Sequence, residues 1–295
     1  MSRTELGEFL AARRAELSPA DVGLPVEPRR RVKGLRREEV ATRAGLSIEY
    51  YMRLEQGKAR NPSPEVLHAI ARALKLTDPQ TRYILGLTSN TRFPPPGRSV
   101  RPELQALLDS MPDIVGVIYN HRMDILAWNS LFSALCFDVA TVPERDRNIA
   151  RFDFLFPESR QRLLHWEDVC RATAGQLRLA AAQHPNDQEL AHLIGELMLA
   201  STNFQTHWNS GDVDLRTHGS KSFRHPTVGE VTLSFDTFEL PCGQVDDVRQ
   251  IGQRLLTLYP TTEEARNALR LITIWEQPQT EQTPRGAIDE TNSSQ

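Results

Sequence analysis

The stretch ATRAGLSIEYYMRLEQGKARNPSP, Ala41 to Pro64, decides how the N-terminal part of the chain is read. Arg37–Ala44 has the pattern of a short helix, and Gly45 ends it, because glycine adopts the left-handed C-cap conformation without a Cβ penalty. Ser47 is a helix N-cap residue, so a second helix runs over Ile48–Gln56 until Gly57 closes it. The turn Gly45–Leu46–Ser47 has the length that a helix-turn-helix needs. The first turn of the second helix presents Ile48, Glu49 and Tyr50 outward, where base edges of a major groove lie. Arg53 follows one turn later, and Lys58 and Arg60 stand just past the helix, placed for phosphates. Helix neighbours diverge by about 100°. Tyr51, spaced with Leu54, is therefore assigned to the core rather than to the outer face. Glu55 falls on the inner side, where a carboxylate has to be hydrogen-bonded.

Charge supports this reading. The 295-residue chain carries 35 Lys and Arg against 38 Asp and Glu, a net of −3. Residues 1–88 hold 16 basic and 11 acidic residues, a local +5, and the remainder is −8. Between Arg29 and Arg60 there are ten basic residues against four acidic ones. A basic module on an acidic chain suits a polyanion. The composition, 39% apolar and 25% charged, is that of ordinary globular protein. No apolar run is long enough for a membrane span, and the N-terminus lacks a signal-peptide core. Cys136, Cys170 and Cys242 show no C-x-x-C spacing, which points to reduced thiols in a cytoplasmic protein.

Outward from the opening stretch, helices are expected around Leu6–Arg14, Val66–Leu74 and after Asp78, which reads as an N-cap before Pro79. Pro94, Pro95, Pro96 and Gly97 mark a linker. The expected division is 1–90 for the helix-turn-helix domain, 91–101 for the linker, 102–276 for a second domain and 277–295 for a disordered tail. Beyond the linker, strands are expected at Ile114–Ile118 and Ile125–Trp128 with HRMD between them, then at Val213–Arg224, Val231–Leu240 and Gly252–Tyr259. A helical block over Ser159–His207 interrupts them, and a final helix opens near Thr261. The fold class is α+β: an all-α N-terminal domain, then an antiparallel sheet with a helical insertion.

The run RREEVATRAGLSIEYYMRLEQGKARNPSPEVLHAIARALKL resembles the Xre-type, lambda-repressor-like helix-turn-helix. The segments RMDILAWN, RNIARFDFLFP and FRHPTVGEVTLSFDTFEL resemble the MmyB-like regulators of bacteria. The resemblance runs from about Leu35 to Tyr259. It implies transcription regulation, with a PAS-like C-terminal domain that senses a small molecule. Arg37 matches a position that is usually glutamine in Xre-type proteins and that touches phosphate or base. Ile48, Glu49, Tyr50 and Arg53 match recognition positions; Glu49 either accepts from a cytosine amine or faces solvent.

The second domain carries no phosphate loop, no dinucleotide fingerprint and no nucleophile elbow, so the reading is binding rather than turnover, with no cofactor. His192 and Glu196 share a helix face, which serves a metal or an ordinary surface pair. Trp128, Phe132, Phe152, Phe154, Leu197 and Trp208 are candidates to line an apolar cavity, and they fit plain core positions as well. Such a cavity suits a fatty acid or similar lipid. Arg122, Asn129, Arg224 and His225 are candidates for its head group, although Arg224 and His225 point to opposite faces of a strand. The expected partners are double-stranded DNA, an apolar effector and a second copy of the chain, since one helix-turn-helix needs a partner for the second half-site. A flavin- or haem-bearing domain tethered to DNA is the alternative.

Overall fold

The computed structural model describes residues 3–25, 30, 32–59, 62–88, 100–213, 216–240, 244–245, 248–249 and 253–276. Arg60, the expected linker up to residue 99 and the tail 277–295 lie outside the described residues.

The N-terminal region is helical: α1 (Arg3–Glu16), α2 (Arg37–Ala44), α3 (Ile48–Glu55), α4 (Pro64–Ala73) and α5 (Asp78–Thr88). Their ends follow local chemistry. Gly45 ends α2 at φ 67°. Ser47 and Ser63 cap α3 and α4 by accepting from the amides of Tyr50 and Val66. The cap of α5 is Thr77 and not Asp78. Thr77 and Gln80 exchange hydrogen bonds, the Gln80 Oε1 accepting from the Thr77 amide at 3.0 Å and the Thr77 hydroxyl from the Gln80 amide at 3.4 Å. Asp78 is thereby the first residue of the helix. Leu10, Leu35, Val40, Tyr51, Leu67 and Ile70 form the centre of this region's core.

The C-terminal region begins with α6 (Pro102–Asp109), β1 (Val115–Tyr119), β2 (Ile125–Trp128) and α7 (Ser130–Leu135). A helical block follows: α8 (Ile149–Leu155), α9 (Pro157–Arg162), α10 (Trp166–Gln183), α11 (Gln188–Ala200) and α12 (Thr202–Asn209). It starts ten residues before the expected Ser159, because Asn148 caps α8 by accepting from the amides of Ala150 and Arg151. Then come β3 (His218–His225), β4 (Gly229–Glu239), a ribbon of β5 (Gln244–Val245) with β6 (Val248–Arg249), β7 (Arg254–Tyr259) and α13 (Glu263–Glu276). The strand expected from Val213 starts only at His218. Val213 itself packs into the core of the N-terminal helices.

The main sheet has the order β2-β1-β7-β4-β3 and is antiparallel throughout. The fold class is thus α+β, a helix-turn-helix region joined to a PAS-like sheet with a helical insertion. Period-2 alternation gives the sheet two buried faces. Val117, Tyr119, Leu233, Phe235, Leu256 and Leu258 meet the helical block. Ile118 and Leu255 meet Leu108 of α6 on the other side. The edge strand β3 is covered where Leu163 bridges Phe223 and the Leu164 amide donates to the Ser222 carbonyl at 3.0 Å.

The two regions share a core. Leu179 and Ala182 of α10 are buried in the same cluster as Tyr83 and Ile84 of α5. Gly86 permits the approach of α5 to α10: a Cβ there would lie 3.1 Å from the Ala182 backbone. Two ion pairs flank the contact, Arg13–Asp212 at 3.2 Å and Arg82–Glu239 at 3.3 Å.

Candidate functional site

The outer face of α2 and α3 is built from Glu55 outward. Its side chain is 2% exposed. Arg14 Nε donates to one carboxylate oxygen and Arg37 Nε to the other, both at 2.6 Å. Burial opposes the charge, but the hydrogen bonds from Arg14 and Arg37 hold the carboxyl below the usual carboxylate range. Glu55 is therefore the anchor that ties α1 and the start of α2 to α3. Arg37 keeps about half of its side chain in solvent while its Nε is held.

Ile48 is 44% exposed, an isoleucine that the core leaves out. Glu49, Arg53 and Lys58 are exposed as well, and Tyr50 is half-buried against the core. Tyr51 is fully buried. The amides of Lys58 and Ala59 both donate to the Arg53 carbonyl, which fixes the chain direction just past α3. Arg37, Ile48, Glu49, Tyr50, Arg53 and Lys58 thus stand on or beside one helix-turn-helix face, while α5 holds the C-terminal region.

The second site is a cavity of about 290 Å³ between the inner face of the sheet and helices α8 and α10. Tyr119, Lys221, Phe235, Thr237 and Leu256 form the sheet side. Ile149 and Asp153 come from α8, and Asp168, Val169, Ala172, Thr173 and Gln176 from α10. A smaller chamber of about 40 Å³ lies deeper, lined by Phe132, Phe137, Phe152, Phe223 and Leu258. Asp153, Lys221, Ile149, Leu163, Val169 and Leu256 border both, so the two chambers meet at a waist. The outer chamber mixes polar and apolar walls, and the inner one is largely apolar, its phenylalanines joined by Ile149, Leu163, Val169, Leu256 and Leu258.

Asp153 is 3% exposed and accepts from the Thr173 hydroxyl at 2.7 Å. Burial raises its carboxyl to about 6, against the pull of Lys221 and Thr173. Lys221 lies with its ammonium over the Phe235 ring, 5.3 Å from the centroid. Burial pushes the Cys136 thiol beside the inner chamber up to about 12.

The expected lining residues distribute unevenly. Phe132 and Phe152 reach the inner chamber. Leu197, fully buried, Phe154 and Trp208 pack behind this wall, with Phe204 edge-on to Phe154 at 5.0 Å and stacked on Trp208 at 5.4 Å. Trp128 lies under the Arg147 guanidinium. Asn129 caps α7 and holds β1: its oxygen accepts from the Gly116 and Phe132 amides, and its nitrogen donates to the Ile114 carbonyl at 2.7 Å. Arg122 is bound to Asp124, Asp187 and Glu189. Arg224 is exposed and pairs with Glu230. His225 turns inward and accepts from the Thr227 amide, a turn position. Glu196, spaced with His192 along α11, is held by Arg151 at 2.7 Å.

The polar residues of the waist are those that the sequence reading passed over. Asp153 had a signal, a carboxylate inside the apolar run RFDFLF. Lys221 had a weaker one, its place two residues before the buried Phe223 on the same face of a strand.

Helix α10 joins the sites. Asp168 to Gln176 line the cavity, and Leu179 and Ala182 pack with α5. From Asp168 to Ala182 the helix covers about 21 Å at 1.5 Å per residue. A parallel chain of charges runs from Arg82 of α5 to Glu239 and on to Arg254, which acts on the Tyr119 hydroxyl in the cavity wall.

No curated protein matches the chain. Residues 5–83 match the family model of a helix-turn-helix domain. Residues 100–272, more than half of the chain, match that of the MmyB-like transcription regulator ligand binding domain. No helix among the described residues is long and apolar enough to cross a membrane. With a helix-turn-helix presenting exposed basic residues and a ligand-binding domain enclosing a cavity between its sheet and helices, the chain belongs to the MmyB-like transcription regulators.

Proposed function

We propose that this regulator binds operator DNA through Arg37, Ile48, Glu49, Tyr50, Arg53, Lys58 and Arg60, and that a fatty acid or similar lipid in the cavity changes its operator affinity. The reading has it act without catalysis, in the cytoplasm, as a homodimer that places two helix-turn-helix faces on two half-sites. In this division residues 1–90 read DNA, 91–101 link, and 102–276 sense. The observation that carries it is α10, which forms cavity wall with one half and helix-turn-helix packing with the other. A ligand shifts an equilibrium only by its differential affinity for two arrangements. A lipid that moves Val169, Ala172 and Thr173 outward moves Leu179 and Ala182 against α5, because a helix transmits displacement along its axis. Phe132 and Phe152 then receive the tail end of the lipid.

The test has two steps. Lipid released from the purified full chain by organic solvent is identified by mass spectrometry. A duplex selected from a random pool is then titrated with delipidated chain, with and without that lipid. The affinity is expected to change by about 5-fold or more, the lower end of ordinary coupling. Unchanged affinity overturns the regulatory link.

A further inference from the structure

We infer that Arg178 is the joint through which the cavity acts on the helix-turn-helix region, because it ties α12, behind the cavity wall, to Tyr83 of α5 and through Tyr83 to Glu5 of α1. This rests on the ligand-controlled reading above and names the residues that carry the control. The contacts begin at α8. Asp153 lines the cavity, and its neighbour Phe154 packs edge-on against Phe204 of α12 at 5.0 Å. Phe204, fully buried, stacks on Trp208 at 5.4 Å. The Arg178 guanidinium lies over the Trp208 ring, 4.7 Å from its centroid. Arg178 belongs to α10 but not to its cavity face: it follows Gln176 by two residues, about 200° round the helix. Tyr83, fully buried, donates its hydroxyl to Glu5 at 3.0 Å, and the Arg178 charge acts on the same hydroxyl. A continuous chain of contacts thus runs from the cavity wall to the first helix.

This joint differs from the rest of the interface between the two regions. Leu179, Ala182, Ile84 and Gly86 are apolar and close-packed. The ion pairs Arg13–Asp212 and Arg82–Glu239 stand partly in solvent, where pairing is weak. Arg178 is 9% exposed, and its Nε is buried without a hydrogen-bond partner among the described residues. A buried donor left unpaired is costly. A second arrangement, with α12 shifted and the Nε bonded, gains what this one lacks. Coupling between sites is carried by groups with two discrete positions, and Arg178 is placed to have them.

The experiment titrates the selected duplex with delipidated full chain, with and without the lipid extract released from purified wild type. The wild type is expected to change affinity by about 5-fold. Tyr83→Phe keeps the ring against Phe9, 5.0 Å away, and removes the hydroxyl. Trp208→Leu removes the ring under Arg178, and Trp208→Phe keeps one. Tyr83→Phe and Trp208→Leu are expected to lower the response to less than about twofold, whereas Trp208→Phe retains it. Each variant is expected to bind the duplex without lipid and to take up lipid, read by mass spectrometry, a separation that a general loss of structure does not produce. If Trp208→Leu fails to fold, Tyr83→Phe alone decides. A full response in Tyr83→Phe or in folded Trp208→Leu, or its loss in Trp208→Phe, overturns the inference and leaves the displacement of α10 to carry the coupling. If the wild type itself does not respond, the reading above falls and this inference with it.

Discussion

The proposed DNA face and the cavity are built on opposite plans. The face is assembled from residues close together in sequence, Arg37 to Lys58, and its residues are exposed apart from the half-buried Tyr50. The cavity gathers residues from β1, β3, β4, β7, α8 and α10, spread from Tyr119 to Leu256, and its carboxylate Asp153 is enclosed. Local assembly makes the first site robust to changes elsewhere. The second depends on every element that brings a wall. The same contrast holds for charge. Arg53 and Lys58 are solvated and cost little, whereas Asp153 is held at the waist against its own desolvation.

The comparison breaks first at Glu55, an enclosed charge beneath the proposed DNA face. Glu55→Ala leaves Arg14 and Arg37 without their partner and is expected to lower stability by about 3 kcal/mol, the lower end for a broken buried pair because Arg37 is half exposed. Chemical denaturation measures it; a loss below about 0.5 kcal/mol would show that the pair is no anchor.

Asp153 is the counterpart in the cavity. Its folded carboxyl is raised from 3.8 to about 6, so the folded chain holds this proton where the unfolded chain has released it. Stability from this group is therefore highest below about pH 4, falls as pH rises towards 6, and stays low above it. Asp153→Asn keeps an acceptor for Thr173 and removes the penalty. Relative to wild type, its melting temperature is expected to be unchanged near pH 4 and raised near pH 8, by the equivalent of on the order of 2 kcal/mol. A gain that is the same at both pH values would contradict the raised carboxyl.

Smaller effects sharpen the DNA side. Arg53→Ala is expected to weaken binding to a selected duplex by about 1–3 kcal/mol, and an unchanged affinity removes Arg53 from the recognition set. Lys58→Ala is expected to weaken all duplexes alike and to reduce the slope of log affinity against log salt by about 1. Gel-shift titrations over a salt series separate the two residues: a Lys58 effect confined to one duplex would make it a base-reading residue instead.

Much of this was legible in the chain. Gly45, Ser47 and Ser63 punctuate the helices by rules that act within a few residues, so the helix-turn-helix could be drawn before any coordinate. The inner position of Glu55 and the buried Tyr51 followed from helical spacing. The strand pair around HRMD and the antiparallel character of the sheet were equally local. The Thr77 cap was missed because Asp78 and Thr77 both carry capping side chains, and only the reciprocal bond with Gln80 decides between them. Aromatic residues were sensible candidates for a cavity, yet Trp128, Phe154 and Trp208 fill space behind its wall or outside it, because composition does not reveal which side of a packed layer is left empty.

By itself, then, the sequence determined the helix-turn-helix, its outward basic face, the α+β character of the rest and the family, since each depends on spacing over one or two turns or on motifs that stand whole in the chain. The tertiary structure alone decided that Lys221 and Asp153 face one cavity and that α10 joins this cavity to α5. Those relations link residues far apart in the chain, and they are set by sheet order and helix packing, which no local pattern encodes.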